Sequence, residues 1–136
     1  MILFPCCKIN LGLNVVGKRP DGYHDIETVF YPVPLCDALE VTEMDAQFPS
    51  PYDCDLKVTG NAVDCDEQKN LVVKAYHLLR QHAPIPRAHI HLYKRIPSQA
   101  GLGGGSADAA YTLRLLNQQF GANLSDADLR LLGQPR

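Results

Sequence analysis

Apolar and polar residues alternate over residues 6–16, which gives this segment one apolar and one polar face. The two faces hold Ile9, Leu11, Leu13 and Val15 on one side and Lys8, Asn10, Gly12 and Asn14 on the other. A period of two predicts a strand with one buried face. Similar patterns predict strands over 26–33, 38–44, 55–59 and 87–95, the last with Ala88, Ile90 and Leu92 inward. Residues 17–25 are dense in turn formers and predict a loop.

Three segments have helical spacing. Residues 70–82 place three leucines, one valine and one alanine on one face. Asn70 is suited to cap this helix, and Pro84 and Pro86 end it. A second helix begins near Gly105 and runs to about residue 119. A short third helix begins after Ser125, with an acidic residue three positions later. Strands followed by helices in this order predict a single layered domain, either α+β or α/β, and we expect the α+β class.

Composition excludes several classes of protein. The 136 residues carry a net charge of −2, which argues against a general nucleic-acid binder because such proteins need a basic face. The N-terminal residues form neither a signal peptide nor a membrane span, so we expect a cytoplasmic protein without membrane contacts. The five cysteines are odd in number and form no Cys-x-x-Cys, which predicts reduced thiols used as small hydrophobic side chains.

Residues 97–110 contain the most informative motif, Pro-Ser-Gln-Ala-Gly-Leu-Gly-Gly-Gly-Ser-Ala-Asp-Ala-Ala. Glycines in such a loop bring several N–H groups toward one point, and the helix that follows adds its positive end. These features predict an anion site, most simply for phosphate, with the Ser106 hydroxyl within reach of a phosphate oxygen or Mg²⁺. Neither the Walker pattern nor the dinucleotide fingerprint is present.

The loop resembles the phosphate-binding motif of the GHMP small-molecule kinases: Pro, three variable residues, Gly-Leu, small residues and Ser. Here the motif consists of Pro97, Gly101, Leu102, Gly103, Gly104, Gly105 and Ser106. Within that family it looks most like the kinases of 4-diphosphocytidyl-2-C-methyl-D-erythritol. The resemblance implies a fold like domain 2 of ribosomal protein S5, ATP and Mg²⁺ as cofactors, and a cytidine diphosphate conjugate as the small-molecule substrate.

Two further segments match these kinases. Lys8-Ile-Asn10-Leu is similar to the segment in which the lysine and the asparagine lie beside the accepting hydroxyl, which implies a catalytic Lys8 and a substrate-binding Asn10. Residues 18–30 resemble the substrate loop. By that resemblance Tyr23 and Phe30 flank the cytosine, and His24 hydrogen-bonds its polar edge. From residue types alone, Lys8 could equally be a solvated edge lysine.

Other candidates keep two interpretations each. The resemblance places Asn70 near the adenine of ATP, although a capping role fits as well. Lys94 is placed to shield nucleotide charge or to be a solvated strand end. Asp108 lies one turn into the helix, where its negative charge could do no more than stabilise the positive end of the helix dipole. His89 and His91 share a strand face that zinc could use, but without a nearby Cys or acid at metal spacing we expect an outward-facing pair.

These kinases also use a catalytic aspartate in a Leu-Gly-Ala-Asp-x-Pro segment. Here Leu132-Gly133 is followed by Gln134-Pro135-Arg136, without that aspartate. We therefore expect residues 1–136 to be an incomplete N-terminal, ATP-binding domain, inactive alone and prone to self-association through an uncovered apolar face. Two alternatives stay open. One is another GHMP kinase of the homoserine or mevalonate type, and the other is a non-enzymatic nucleotide-binding fragment.

Overall fold

The computed structural model describes residues 1–18, 20, 24–61, 66–97 and 102–132. The strands are β1 (Ile2–Leu3), β2 (Cys6–Lys18), β3 (His24–Cys36), β4 (Ala38–Glu43), β5 (Cys54–Gly60) and β6 (Ala88–Lys94). The helices are α1 (Leu71–Arg80), α2 (Gly104–Phe120) and α3 (Asp126–Leu132), and a 3-10 turn at Glu67–Lys69 precedes α1. Helices and strands are both present among the described residues, which confirms the α+β prediction.

Four strands form a sheet in the order β1-β4-β6-β5. β6 pairs antiparallel with β4 and parallel with β5, and α1 makes the crossover between β5 and β6. The alternation predicted for β6 is confirmed. Ala88, Ile90 and Leu92 point into a core shared with α1 and α2, while His89 and His91 lie on the opposite face.

β2 and β3 form a separate two-stranded antiparallel ribbon. Both strands are longer than the patterns predict, so the connection between them begins after Lys18 and ends before His24. In the ladder Ile9 is paired with Tyr31 and Leu11 with Val29, which places these four side chains on one face. All four are exposed, so Ile9 and Leu11 are uncovered rather than buried as the alternation of β2 predicts.

Cysteine usage differs from the prediction. Cys6 and Cys36 are partners in the β2–β3 ladder and form a disulfide. The prediction of reduced thiols is therefore wrong for this pair, because residues 30 positions apart in the sequence become directly opposed in the ribbon. Cys7 and Cys54 are free and buried, as predicted.

The predicted capping of two helices is confirmed. Asn70 Oδ1 accepts a hydrogen bond of 2.9 Å from the Val72 N–H at the start of α1. At α3, Ser125 and Asp128 form a reciprocal pair in which each backbone N–H bonds the other's side-chain oxygen. Both helices therefore begin where the sequence pattern indicates.

Candidate functional site

The described part of the glycine loop ends in a sharp turn into α2. Gly103 is the residue before the helix and has φ 71°, in the left-handed region that favours glycine. Its carbonyl accepts the first helical bond, from the Ala107 N–H at 2.9 Å. Among the described residues no side chain caps this helix start, so its first N–H groups are directed at the space above the loop. This is the geometry of an anion site.

The three consecutive glycines have different surroundings. A Cβ on Gly103 would lie 3.0 Å from Lys8 Cε, and one on Gly104 would lie 2.8 Å from Ile96 Cγ2. Among the described residues, a Cβ on Gly105 would meet only Leu71 Cδ1, at an ordinary 3.5 Å. Gly104 is thus required by packing against Ile96, whereas Gly103 is required by its left-handed φ, because the atoms nearest to it belong to the Lys8 side chain, which can shift. No described residue crowds the outer side of Gly105, so a ligand could approach the loop closely there.

β2 lies against this loop. The Lys8 N–H donates to the Leu102 carbonyl at 3.1 Å, and the Lys8 side chain runs over Gly103. The predicted catalytic lysine and the predicted phosphate loop are therefore neighbours, although 94 positions separate Lys8 from Leu102. Ser106 is exposed in the first turn of α2, and Pro97 is exposed where the segment toward the loop begins.

Lys94 does not lie where either sequence interpretation placed it. Its side chain is only 4% exposed, so it is not a solvated strand end. The ammonium nitrogen donates to Asp37 Oδ2 at 2.6 Å and to Asp108 Oδ2 at 2.8 Å, beneath the first turn of α2. It therefore faces two carboxylates inside the protein rather than the outer side of the loop, and direct shielding of nucleotide charge does not follow from this position.

Two carboxyl groups and one ammonium share this buried space, and their pKa values differ accordingly. Burial, and then the hydrogen bond with Asp37, raise the pKa of Asp108 to about 7 against the opposing effect of Lys94. Burial also acts to raise the pKa of Asp37, but hydrogen bonds from Asp108, the Ile96 N–H, Lys94 and the Arg95 N–H outweigh it and lower that pKa. Asp108 Oδ1 is buried without a hydrogen-bond partner.

Asp37 was not singled out from the sequence. It stands between the last residue of β3 and the first of β4, where a single acidic residue is typical of a surface turn. No pattern marked it, since the strands predicted over 26–33 and 38–44 leave residues 34–37 for a loop, and it is the structure that extends β3 to Cys36. Asp108 was noted only for the helix dipole, and its ion pair with Lys94 could not be anticipated from either segment alone.

The start of α1 lies beside the loop, because Leu71 borders Gly105. Asn70 is half-buried, and its side-chain oxygen is engaged in capping α1, which leaves its amide NH₂ group for other contacts. Capping is therefore observed, and the adenine contact stays a prediction. Two helix N-termini, those of α1 and α2, thus meet next to Gly105.

Three of the predicted substrate residues lie in the ribbon. Asn10 and Phe30 are direct partners in the β2–β3 ladder, and His24 begins β3 opposite Lys18. The structure describes only the backbone of these residues. Tyr23 and Gly101 lie outside the described residues. Asn10 and Lys8 lie two positions apart on the same strand, so the ribbon connects the predicted cytosine-binding segment with the glycine loop.

The outward histidines are also as predicted. His89 Nδ1 lies 3.3 Å from Asp55 Oδ2, and His91 Nε2 lies 2.7 Å from Thr59 Oγ1. In the part of the chain that the structure describes, no group of three His, Cys, Asp or Glu side chains is arranged to hold a metal ion. None of the helices among the described residues is both long and apolar enough to cross a membrane.

Comparisons with known proteins agree with this geometry. A family model, described as the GHMP kinases N terminal domain, matches residues 70–135. A 4-diphosphocytidyl-2-C-methyl-D-erythritol kinase of Bacteroides fragilis is 55% identical over 95% of this chain and 46% of its own length. Its counterpart from Bacteroides thetaiotaomicron is 54% identical over 96% of the chain and 47% of its own length.

Solved structures show the same likeness. A crystal structure of 4-(cytidine 5'-diphospho)-2C-methyl-D-erythritol kinase is 35% identical, with a TM-score of 0.72, over 98% of this chain and 46% of that protein. A mevalonate kinase structure matches at a TM-score of 0.68 but only 15% identity, which shows a shared fold. The chain spans about half the length of the curated relatives it matches. The sequence and structure comparisons thus agree that this chain is similar to the N-terminal part of the GHMP kinases.

Proposed function

We propose that this chain supplies the phosphate site and the acceptor site of an ATP-dependent kinase. The reaction would transfer the γ-phosphoryl group of ATP to the 2-hydroxyl of 4-diphosphocytidyl-2-C-methyl-D-erythritol. The observation that carries this proposal is the helix start at Gly103–Ser106, which lies against Lys8 and which no side chain of the described residues caps. Phosphoryl transfer depends mainly on positioning and on charge stabilisation, and both can be built from these residues.

On the donor side, the N–H groups at the start of α2 would bind phosphate oxygens, with Gly105 leaving room for their approach. Asn70 and the exposed Leu71, at the start of α1, would contact the base of the nucleotide. Lys8 would bias the attacking hydroxyl and offset the charge that develops during transfer. Lys94 would act only indirectly, since it is buried.

Mg²⁺ is implied by the family, and the residues present fit a limited role for it. The Ser106 hydroxyl is exposed and offers one oxygen ligand, while phosphate oxygens and water would provide the rest, as is usual for this ion. The orphaned oxygen of Asp108 is enclosed below the loop and belongs to a carboxylate already bound to Lys94. When bound, Mg²⁺ would neutralise phosphate charge.

On the acceptor side, Tyr23, His24 and Phe30 would bind the cytosine, by stacking and by edge recognition. Asn10 would contact the acceptor beside Lys8. The cytidylyl substrate is favoured over homoserine or mevalonate because the relatives at 54–55% identity act on it, whereas the likeness to mevalonate kinase is one of fold. By analogy with the family a catalytic aspartate would complete the acceptor side, and Leu132-Gly133 is followed here by Gln134-Pro135-Arg136 without one.

Gly105→Val tests the donor side. Its side chain would fill the space above the loop without disturbing the interior, so calorimetry on the chain should show Mg-ATP affinity reduced by more than about 30-fold with an unchanged melting temperature. Ala110→Val is the matched control, since Ala110 is exposed in the next turn of α2. Equal Mg-ATP affinities in Gly105→Val and the unsubstituted chain would contradict the proposal.

A further inference from the structure

Asp37 connects the two halves of the proposed site. It is fully buried, with 0% of its surface exposed, and its backbone and side chain reach in different directions. The Asp37 N–H donates to the Pro5 carbonyl at 2.8 Å, immediately before β2. Its neighbour Cys36 pairs with Cys6 in the ladder. Asp37 is therefore attached to the base of the ribbon, three residues from Lys8 along β2.

The side chain of Asp37 is bonded to the donor side. Asp37 Oδ1 accepts from the Arg95 N–H at 2.7 Å and from the Ile96 N–H at 2.9 Å. These are the last residues before the Pro97 end of the glycine loop. Ile96 is itself fully buried and lies directly under Gly104, where a Cβ would be too close to it. The carboxylate thus determines the position of the backbone on which the first turn of α2 rests.

A second route runs from Asp37 through Lys94 to α2. Asp37 Oδ2 binds the Lys94 ammonium, and the same ammonium binds Asp108 Oδ2 in the second turn. Short, charge-assisted bonds of this kind define geometry closely. Buried ion pairs add little net stability compared with apolar side chains of similar volume. Stability alone is therefore a weak reason for two carboxylates and an ammonium at this position.

We propose that Asp37 is a positioning residue for phosphoryl transfer, one that fixes the ribbon bearing Lys8 at the correct distance from the phosphate loop. This inference rests on the proposed function. Misplacement of reacting groups by about 1 Å can cost about 100-fold in rate, even when both ligands still bind. Loss of Asp37 should therefore affect the rate of the chemical step more than the binding of either substrate.

The test uses a chimera in which this chain is continued by the half of the Bacteroides fragilis relative that it does not cover. Asp37→Asn keeps an oxygen for the Arg95 and Ile96 N–H groups but removes the charge that binds Lys94. We expect kcat to fall by more than about tenfold, with KM for both substrates and the Kd for Mg-ATP within about threefold. Asp53→Asn is the matched control, because Asp53 pairs with two arginines, Arg80 and Arg87, at a half-exposed position away from the loop.

Asp108→Asn is the second variant and keeps the test decisive if Asp37→Asn does not fold. It keeps the bonds of Asp37 to Lys94 and to the Arg95 and Ile96 N–H groups and weakens only the connection to α2, so the same kcat effect should appear at smaller size. Unchanged kcat in the variants that fold would overturn the inference. So would a parallel decline of kcat, ATP affinity and melting temperature, because that indicates a structural role alone. An unsubstituted chimera without activity toward the cytidylyl substrate would instead contradict the proposed function.

Discussion

The four-stranded sheet and the β2–β3 ribbon differ in how their apolar side chains are covered. Leu92, in the centre of the sheet, is 1% exposed beneath α1 and α2, whereas Leu11, in the ribbon, is 51% exposed. Both residues belong to strands with clear alternation. Alternation therefore identifies which side chains share a face, but it does not tell whether another layer covers that face within the same chain.

The two regions also carry different parts of the proposed chemistry. The sheet and its helices hold the phosphate loop on a core of their own, with Ile96 and Gly104 in direct contact. The ribbon carries Lys8 and the predicted acceptor residues, and within the described residues its connection to the loop runs through the Lys8 N–H and the Asp37 network. Donor binding should thus depend on the sheet, and acceptor placement on how the ribbon is held.

Matched leucine truncations give the largest contrast. Leu92→Ala removes a fully buried side chain and should cost about 3 kcal/mol of unfolding free energy, or roughly 10 °C in melting temperature. Leu11→Ala removes one that is half exposed and should cost about 1 kcal/mol or less. Chemical denaturation of both variants measures the difference. Equal losses would show that the ribbon face is covered in solution and would remove the contrast between the two regions.

The pH dependence of stability gives a smaller effect, located at the junction of the two regions. The Asp108 carboxyl has a folded pKa of about 7 and an ordinary value of 3.8, so the folded protein holds this proton more tightly. Its contribution to stability is therefore full below about pH 3.8 and is lost as the pH rises to about 7. Between pH 5 and pH 7 the loss should be about 2 kcal/mol. The contribution of Asp37 to stability has the opposite sign. Because folding lowers the pKa of Asp37, its ionised carboxylate stabilises the fold at pH values above its ordinary pKa of 3.8, and this stabilisation is lost as the pH falls.

Denaturant melts between pH 5 and pH 8 measure this slope. Asp108→Asn should flatten it, because the group that takes up the proton is gone. Asp126→Asn, at an exposed position in the first turn of α3, should leave the slope as it is, and so should Leu11→Ala in the ribbon. If the unfolding free energy of Asp108→Asn still falls between pH 5 and pH 8, the proton that stabilises the fold belongs to another group.

Much of the fold could be predicted from local pattern. The strands β2 to β6, the three helices and the caps at Asn70 and Ser125 follow from spacing of apolar residues and from capping chemistry, which act within a few residues. The glycine loop could be found for the same reason, since a phosphate site at a helix start is built from consecutive backbone groups.

Long-range pairings could not be predicted in this way. Lys94 contacts an aspartate 57 positions away, and a single strand-end lysine gives no indication of such a partner. Cys6 and Cys36 become opposed only when the ribbon forms in its particular register. The missed parts of the site are therefore those in which side chains from separate segments meet, while the parts built from one continuous segment were identified.

An NMR titration of the ¹⁵N-labelled chain with Mg-ATP, and separately with cytidine diphosphate, tests the division of labour between the two regions most directly. Mg-ATP should shift the amide signals of Gly103, Gly104, Gly105 and Ser106, together with Lys8 beside them. Cytidine diphosphate should shift signals of the ribbon around Asn10 and Phe30. Mg-ATP shifts that leave the glycine amides unchanged, or identical shifts from both ligands, would contradict the account.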